Sequence, residues 1–339
     1  MPLLPPHPFK DLEDTEFWVE VGIRMRLKSA LKRNKNWGFE FKNPIRKVKR
    51  MNPFKHHGIA HLSPSAVNMF TGSPSAWVAK NLLGYRFGSG PSMWRGIAVE
   101  DALNEYIFNN ASPEACIEFC KERFDKLKGG AMNISQDVER ERERLDRYVI
   151  NGIDAILELH NDFGVGKPQA PPIGQTFNNQ WEVGLPCRFG DQQDEKIDVI
   201  GYLDFLYAND KNHNTIIDVK TTARIPSEWQ PAHAMQAAFY KRAHGKNPDV
   251  YFVYVSPKEE GKPNAFHILR LDDETYNKEL KRMKDTIVRM SKLLTLSDDP
   301  FALAEAVPHD ETSFYWSGET PLSQIIEDVK TAIENTTEE

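Results

Sequence analysis

The segment from residue 197 to residue 243 constrains the fold most, because its hydrophobic periodicity changes within a short length of chain. Residues 197–207 and 215–220 are rich in β-branched and aromatic side chains, which predicts two strands. The polar stretch 209–214 between them predicts a hairpin, and residues 232–243 follow with helical spacing. Strands and helices that follow one another in this way predict an α/β (α+β) protein.

The chain on either side of this segment places helices first and strands later. Ser63 is a good N-cap and Pro64 suits a first helical turn, so a helix is expected to begin there and to end near Gly72. Further elements are predicted as helices at 96–108, 113–128, 135–160 and 272–296, and as strands at 181–189, 250–255 and 265–271.

Bulk composition excludes several classes of protein. The chain has 339 residues, of which 40% are hydrophobic and 27% are charged, as in a globular protein with a full core. No apolar run approaches the roughly 18 residues that a membrane helix needs, and the first residues do not resemble a signal peptide. Cys116, Cys120 and Cys187 form no CxxC pair, so neither a disulfide framework nor a zinc site is expected. We therefore predict a cytoplasmic protein, in the host cytoplasm if it is viral.

Charge is distributed unevenly along the chain. Residues 21–57 hold twelve Lys or Arg and one acid, a net charge of +11, whereas the whole chain carries −6. A basic segment on an acidic body indicates a polyanionic partner such as nucleic acid, although a solvated arm without a ligand has the same composition. Trp37, Phe39 and Phe41 lie among these charges, where they would either stack on bases or pack together.

Two acids and a lysine are expected to converge on the predicted hairpin. Side chains alternate along a strand, so Asp218 and Lys220 point to the same face, and the hairpin places Asp204 beside them. Two carboxylates this close are unfavourable unless a cation neutralises them, and Mg²⁺ prefers oxygen ligands. A bound metal activates water and stabilises charge on a phosphate. Lys220 would orient or deprotonate that water, or stabilise the transition state; ordinary exposed charges at two strand ends are the alternative.

These residues resemble the motifs of the PD-(D/E)XK nuclease superfamily, in particular its RecB-like and phage lambda-type exonuclease branch. Asp204 matches the first acid, Asp218 and Lys220 match the D/E-x-K pair, and Gln236 and Tyr240 match the QxxxY signature. The resemblance implies a restriction-endonuclease-like fold, in which a central mixed β-sheet is flanked by helices, with a helical insertion. It implies Asp204, Asp218 and Lys220 as catalytic residues.

The resemblance also implies which residues bind metal and DNA. The segment Arg95-Gly-Ile-Ala-Val-Glu100 resembles the helix that supplies a further acid in this superfamily; the alternative is that Glu100 lies at the boundary of the apolar face of this helix and reaches solvent. The implied metal positions are Glu100, Asp204, Asp218 and Val219, and the implied DNA-binding positions are Gln236, Tyr240, Ser63, Ser65 and Arg95. Some relatives hold an iron–sulfur cluster through a cysteine where this chain has Ser73, and we expect no iron–sulfur cluster here.

The sequence as a whole predicts a metal-dependent DNA exonuclease of phage type, acting in DNA recombination, degradation or replication. Mg²⁺ is the expected cofactor, and Mn²⁺ is expected to substitute for it. An endonuclease of the same fold and a catalytically silent DNA-binding module are the alternatives. We expect a basic arm at 1–60, a nuclease domain at 61–296 and a tail at 297–339. The expected partners are DNA and a single-strand-binding or annealing protein, with no membrane; strand polarity and oligomeric state are left open.

Overall fold

The computed structural model describes nine ranges of the chain, which are residues 52–129, 136–162, 164–165, 167–169, 181–191, 193–208, 213–258, 265–317 and 319–337. Most of the basic segment 21–57, with Trp37, Phe39 and Phe41, lies outside the described residues. Within the described ranges no helix is both long enough and apolar enough to cross a bilayer.

Two mixed β-sheets form the centre of the described structure. The strands are β1 His61–Leu62, β2 Lys167–Pro168, β3 Trp181–Arg188, β4 Lys196–Leu203, β5 Phe205–Ala208, β6 Asn214–Thr221, β7 Asp249–Val255 and β8 Phe266–Arg270. One sheet has the order β1-β4-β3 and the other has the order β2-β5-β6-β7-β8. In the larger sheet β6 and β7 are parallel and the other neighbours are antiparallel. The predicted fold class, α/β (α+β) with helices around mixed strands, is confirmed.

The predicted strand at 197–207 is two strands that belong to different sheets. The chain leaves the pairing with β3 after Leu203 and enters the pairing with β6 at Phe205. Asp204 lies at this break, between the two strands. Hydrophobic periodicity continues through the break, because both halves are buried, so the sequence pattern did not reveal it.

Eleven helices cover the sheets in the described residues. They are α1 Pro53–His56, α2 Pro64–Gly72, α3 Pro74–Asn81, α4 Pro91–Asn109, α5 Pro113–Lys128, α6 Gln136–Glu143, α7 Leu145–Asp162, α8 Pro231–His244, α9 Asp273–Leu294, α10 Pro300–Ala306 and α11 Leu322–Thr337. Ser63 caps α2 by accepting a hydrogen bond from the Ala66 N–H, as predicted. The single helix predicted at 135–160 was wrong: the chain turns at Arg144, where its N–H bonds the carbonyl of Glu141.

A hydrophobic core lies on each side of the larger sheet. Helices α4 to α7 pack on one side around buried residues such as Leu103, Tyr148 and Val253. Helices α2, α3, α8 and α9 pack on the other side around Trp77, Phe239 and other buried residues. The predicted tail region contributes to this second core through Leu303, Trp316, Leu322 and Ile325.

One glycine makes the close packing of α8 possible. A Cβ atom at Gly201 in β4 would lie 2.6 Å from Cε1 of Phe239 and 3.3 Å from Cε1 of Tyr240, closer than any side chain permits without movement. The helix therefore rests directly on the backbone of β4, a few residues before Asp204. This contact brings the polar face of α8 over the break between the two sheets.

Candidate active site

The two predicted acids meet at the break between the sheets. Phe205 pairs with Ile217, so the next position outward places Asp204 opposite Asp218. The Oδ2 atom of Asp204 accepts a hydrogen bond of 3.2 Å from the main-chain N–H of Val219. Asp204 is 7% exposed and Asp218 is fully buried. The geometry expected from the hairpin is present, and it is fixed by a main-chain donor that the sequence did not indicate.

Lys220 contacts Asp218 directly. Its Nζ atom lies 2.5 Å from Oδ1 of Asp218, and the ammonium stands 5.3 Å from the ring centroid of Phe252 in β7. At this distance the ammonium and the carboxylate form an ion pair. Burial by itself would lower the pKa of Lys220, but the nearby carboxylates outweigh burial and raise it. The lysine is therefore held in its charged form.

The acids are electrostatically unfavourable without a further cation. Burial raises the pKa of Asp204 well above its usual range, and the negative charges of Asp218 and Glu100 raise it further. Burial also raises the pKa of Asp218, against the opposing effect of Lys220. When ionised, these three carboxylates face one ammonium, which leaves an excess of two negative charges.

This donor set suits a divalent cation. Carboxylate oxygens are the ligands that Mg²⁺ and Mn²⁺ prefer, and a double positive charge balances the excess. Among the residues that the structure describes, however, no group of three or more His, Cys, Asp or Glu side chains is placed so that it could hold a metal ion. The ammonium of Lys220 lies against Asp218 instead, and it supplies part of the charge that a metal would bring.

Helix α8 carries the predicted Gln and Tyr to the buried acid. The Nε2 atom of Gln236 donates to Oδ2 of Asp218 at 3.3 Å and to the Tyr240 hydroxyl at 2.5 Å. Burial and the charge of Asp218 raise the pKa of Tyr240 well above its usual range, so its hydroxyl stays protonated. The pair therefore lies in contact with Asp218, with Gln236 half-buried and Tyr240 buried.

The other predicted DNA-binding residues have different surroundings. Arg95 is 5% exposed, and its guanidinium binds Glu141 at 2.5 Å, the hydroxyl of Thr221 at 3.1 Å and the carbonyl of Thr221 at 3.2 Å. Its donors are thus used inside the protein, where they attach α4 to the end of β6, and DNA contact by Arg95 stays a prediction. Ser63 and Ser65 share a hydroxyl contact of 2.8 Å at the start of α2, where Ser65 is exposed.

Two neighbours of Lys220 were not identified from the sequence. The Nδ1 atom of His233 lies 2.8 Å from the hydroxyl of Tyr254, and the imidazole packs against both Tyr254 and Phe252, the ring over which Lys220 lies. Burial, followed by the charge of Lys220, lowers the pKa of His233 to about 4. His233, Gln236 and Tyr240 are spaced three and four residues apart, which places them on one helical face. This spacing was the sequence signal that could have identified His233 as a residue of the site.

Two buried acids and a lysine at the end of a mixed sheet are the arrangement expected of a metal-dependent nuclease. The family model of the PD-(D/E)XK nuclease superfamily matches residues 61–311, and the chain belongs to this superfamily. Membership indicates a nuclease, which is a hydrolase, and implies DNA as its substrate.

Other comparisons add little to this assignment. No curated protein matches the chain. Among solved structures, the one described as "Crystal structure of SSO0001" is 12% identical over 65% of this chain and 88% of its own, with a TM-score of 0.27. A TM-score of this size carries no argument about fold or function.

Proposed function

We propose that the protein is a metal-dependent DNA exonuclease, of the phage type that acts in recombination, degradation or replication of DNA. One observation carries the proposal: Asp204 and Asp218 are buried opposite each other, and Lys220 forms an ion pair with Asp218. Superfamily membership supports the hydrolysis of phosphodiester bonds. The exonuclease mode follows from the QxxxY signature at Gln236 and Tyr240, which resembles that of the RecB-like branch.

Each residue has a defined task in this proposal. Asp204, Asp218 and Glu100 would hold Mg²⁺ or Mn²⁺, and Val219 would contribute through its main chain because its side chain is buried in a core. The metal, when bound, would activate water and stabilise charge on the scissile phosphate. Lys220 would move from Asp218 towards the water and the phosphate. Gln236 and Tyr240 would hold Asp218 in its orientation while they face the DNA.

A cleavage assay with a matched lysine variant tests the proposal. Wild type, Lys220→Ala and Lys281→Ala are incubated with Mg²⁺ and linear DNA labelled at the 5′ or the 3′ end. Lys281 is a suitable control because its side chain is 77% exposed on α9. We expect wild type and Lys281→Ala to release nucleotides, and Lys220→Ala to be slower by about a hundredfold or more. Equal release by all three would identify a contaminating activity and refute the proposal.

Two further substrates separate the alternatives. A covalently closed circle has no end, so an exonuclease leaves it intact, whereas an endonuclease of the same fold linearises it. A catalytically silent DNA-binding module would bind DNA without turnover and would show no binding of Mn²⁺ that depends on Asp204, which isothermal titration calorimetry measures. The labelled ends of the linear substrates report the polarity of digestion.

Location and partners complete the proposal. The three cysteines are buried and unpaired, which suits a reducing compartment, and we assign the protein to the cytoplasm. A single-strand-binding or annealing protein is the expected partner, because digestion of one strand leaves the other exposed. Co-purification of such a protein with wild type, lost when the DNA is removed, would place the contact on DNA rather than on this chain.

A further inference from the structure

We propose that His233 contacts the substrate, and that its Nε2–H donates a hydrogen bond to a non-bridging oxygen of the DNA phosphate held beside Lys220. The inference rests on the proposed nuclease function and adds a residue to its site. It is carried by the position of the ring, by the hydrogen bond on its other nitrogen and by the absence of any partner for Nε2 among the described residues.

The position follows from helix α8. His233, Gln236 and Tyr240 are spaced three and four residues apart, so they form one row on the helix. Gln236 and Tyr240 in this row face Asp218. The ring of His233 lies 5.9 Å from the ring centroid of Phe252, and Nζ of Lys220 lies 5.3 Å from the same centroid. His233 and Lys220 therefore both lie against the ring of Phe252, close enough for the charge of Lys220 to act on the imidazole.

The hydrogen bond to Tyr254 defines which ring nitrogen carries the proton. Among the described residues the Tyr254 hydroxyl has no other acceptor for its proton, so that proton is available for Nδ1 of His233 at 2.8 Å. Nδ1 is then an acceptor, and a neutral imidazole must carry its proton on Nε2. Burial together with the charge of Lys220 lowers the pKa of His233 to about 4, so the ring is neutral at physiological pH.

The free donor points to an anionic acceptor. Nε2 of His233 has no partner within the part of the chain that the structure describes, although the side chain is only half-exposed. A phosphate brought to Lys220 would offer such an acceptor at the same ring of Phe252. A neutral donor suits this place, because it adds a directed contact without a second positive charge beside the lysine.

Three variants separate donation by Nε2 from packing. His233→Gln keeps an amide N–H near the place of Nε2, His233→Asn keeps one nearer Nδ1, and His233→Ala keeps neither. Each is tested for binding to short linear DNAs with Ca²⁺ in place of Mg²⁺, and each DNA carries one neutral methylphosphonate at a successive position from the end. Cleavage of unmodified DNA with Mg²⁺ is measured in parallel.

A coupled effect at one phosphate is the expected result. A methylphosphonate there weakens wild type and His233→Gln by roughly ten- to a hundredfold, the range for a hydrogen bond to a charged acceptor. In His233→Ala and His233→Asn the same methylphosphonate causes a smaller loss than in wild type, because only the attraction between Lys220 and the phosphate is left to be removed. The inference is wrong if, at every position, the methylphosphonate and the substitution of His233 weaken DNA binding additively while wild type cleaves DNA normally. Nε2 would then face only solvent. Failure of wild type to cleave any DNA refutes the proposed function, and the inference with it.

A second variant covers the case in which His233→Ala does not fold. Tyr254→Phe removes only the hydroxyl that holds Nδ1, so the proton of the imidazole is free to move to Nδ1. We expect this variant to lose part of the coupling at the same phosphate. Full wild-type coupling in Tyr254→Phe would overturn the assignment of the proton to Nε2.

Discussion

At the scale of single residues, acidic side chains are concentrated in a buried site, where the loss of water around them destabilises their charged forms. Asp204 is nearly buried and faces two other acids, and one hydrogen bond from Val219 does not offset the loss of water around its charge. Such unfavourable groups accumulate at functional sites. The repulsion between these carboxylates destabilises the metal-free site, and a divalent cation would bind favourably there because it relieves that repulsion.

Replacement of Asp204 is predicted to stabilise the metal-free protein while it removes activity. The raised pKa means that the folded state binds the proton more tightly than the unfolded state, so the free energy of unfolding falls as pH rises from about 4. Asp204→Asn lacks this titration and keeps an acceptor for the Val219 N–H. Thermal unfolding in EDTA at pH 5 and pH 8 should show a higher midpoint for the variant, mainly at pH 8.

Two comparisons control this experiment. Asp198→Asn removes an exposed acid from β4, the strand that ends just before Asp204, and should not alter the midpoint. Mg²⁺ or Mn²⁺ should raise the midpoint of wild type, because a ligand that binds only the folded state stabilises it, and should raise that of Asp204→Asn much less. A midpoint for Asp204→Asn below wild type at pH 8 in EDTA would contradict the electrostatic account.

At the scale of elements, buried polar contacts join segments that are far apart in sequence. Arg95 connects α4 to Thr221 at the end of β6 and to Glu141 in α6, and its guanidinium also stands 4.8 Å over the ring of Tyr148. This connection holds α4 against the end of β6, and Glu100 in α4 lies near enough to Asp204 to affect its charge. Helix α4 is therefore part of the site and not only a cover for the sheet.

The single variant Arg95→Met is predicted to lower the free energy of unfolding by about 3–5 kcal/mol, because Glu141 is left as an uncompensated buried charge. The double variant Arg95→Met with Glu141→Met should recover a large part of this loss. Urea unfolding of both variants measures the difference. Arg140→Met breaks an exposed ion pair in α6 and should change stability by at most about 1 kcal/mol. Equal losses for the single and the double variant would show that packing, not charge, dominates.

The segment after residue 296 is predicted to be required for a stable nuclease domain. The indole N–H of Trp316 bonds Ser73 and Ser75 at the start of α3, each at 3.1 Å, and the ring is 5% exposed. Trp316→Ala should lower the free energy of unfolding by about 3–5 kcal/mol, measured in urea. Phe314→Ala is the control, because Phe314 is 87% exposed two residues earlier and its removal should change stability little.

At the scale of the whole molecule, positive charge is concentrated in residues 21–57, whereas the candidate active site lies in the acidic remainder of the chain. Residues 21–57 carry a net +11, whereas the rest of the chain carries −17. An acidic body repels DNA, so we expect the basic segment to supply most of the phosphate contacts. Binding of DNA should therefore depend steeply on salt.

Deletion of residues 1–51 is predicted to weaken DNA binding and to flatten its salt dependence. For duplex DNA, the slope of log affinity against log salt should become shallower by about 0.9 for every phosphate that the shortened chain no longer neutralises. Fluorescence anisotropy over a range of NaCl concentrations measures this slope, with Ca²⁺ present to prevent cleavage. The unfolding midpoint of the shortened chain serves as the control for folding. An unchanged slope would identify the segment as a solvated arm.

The sequence by itself determined the type and order of most of the predicted elements, although the helix at 135–160 is two helices, and it determined the residues of the central motif. Asp204, Asp218 and Lys220 were found because strand alternation and a short hairpin are local rules, and helical spacing paired Gln236 with Tyr240. Only the tertiary structure decided that the sheet divides at Asp204, that Arg95 is buried, and that His233 and Trp316 reach the site and the core. These outcomes depend on packing between segments distant along the chain, such as α8 against the bare backbone of Gly201, and no local pattern encodes them.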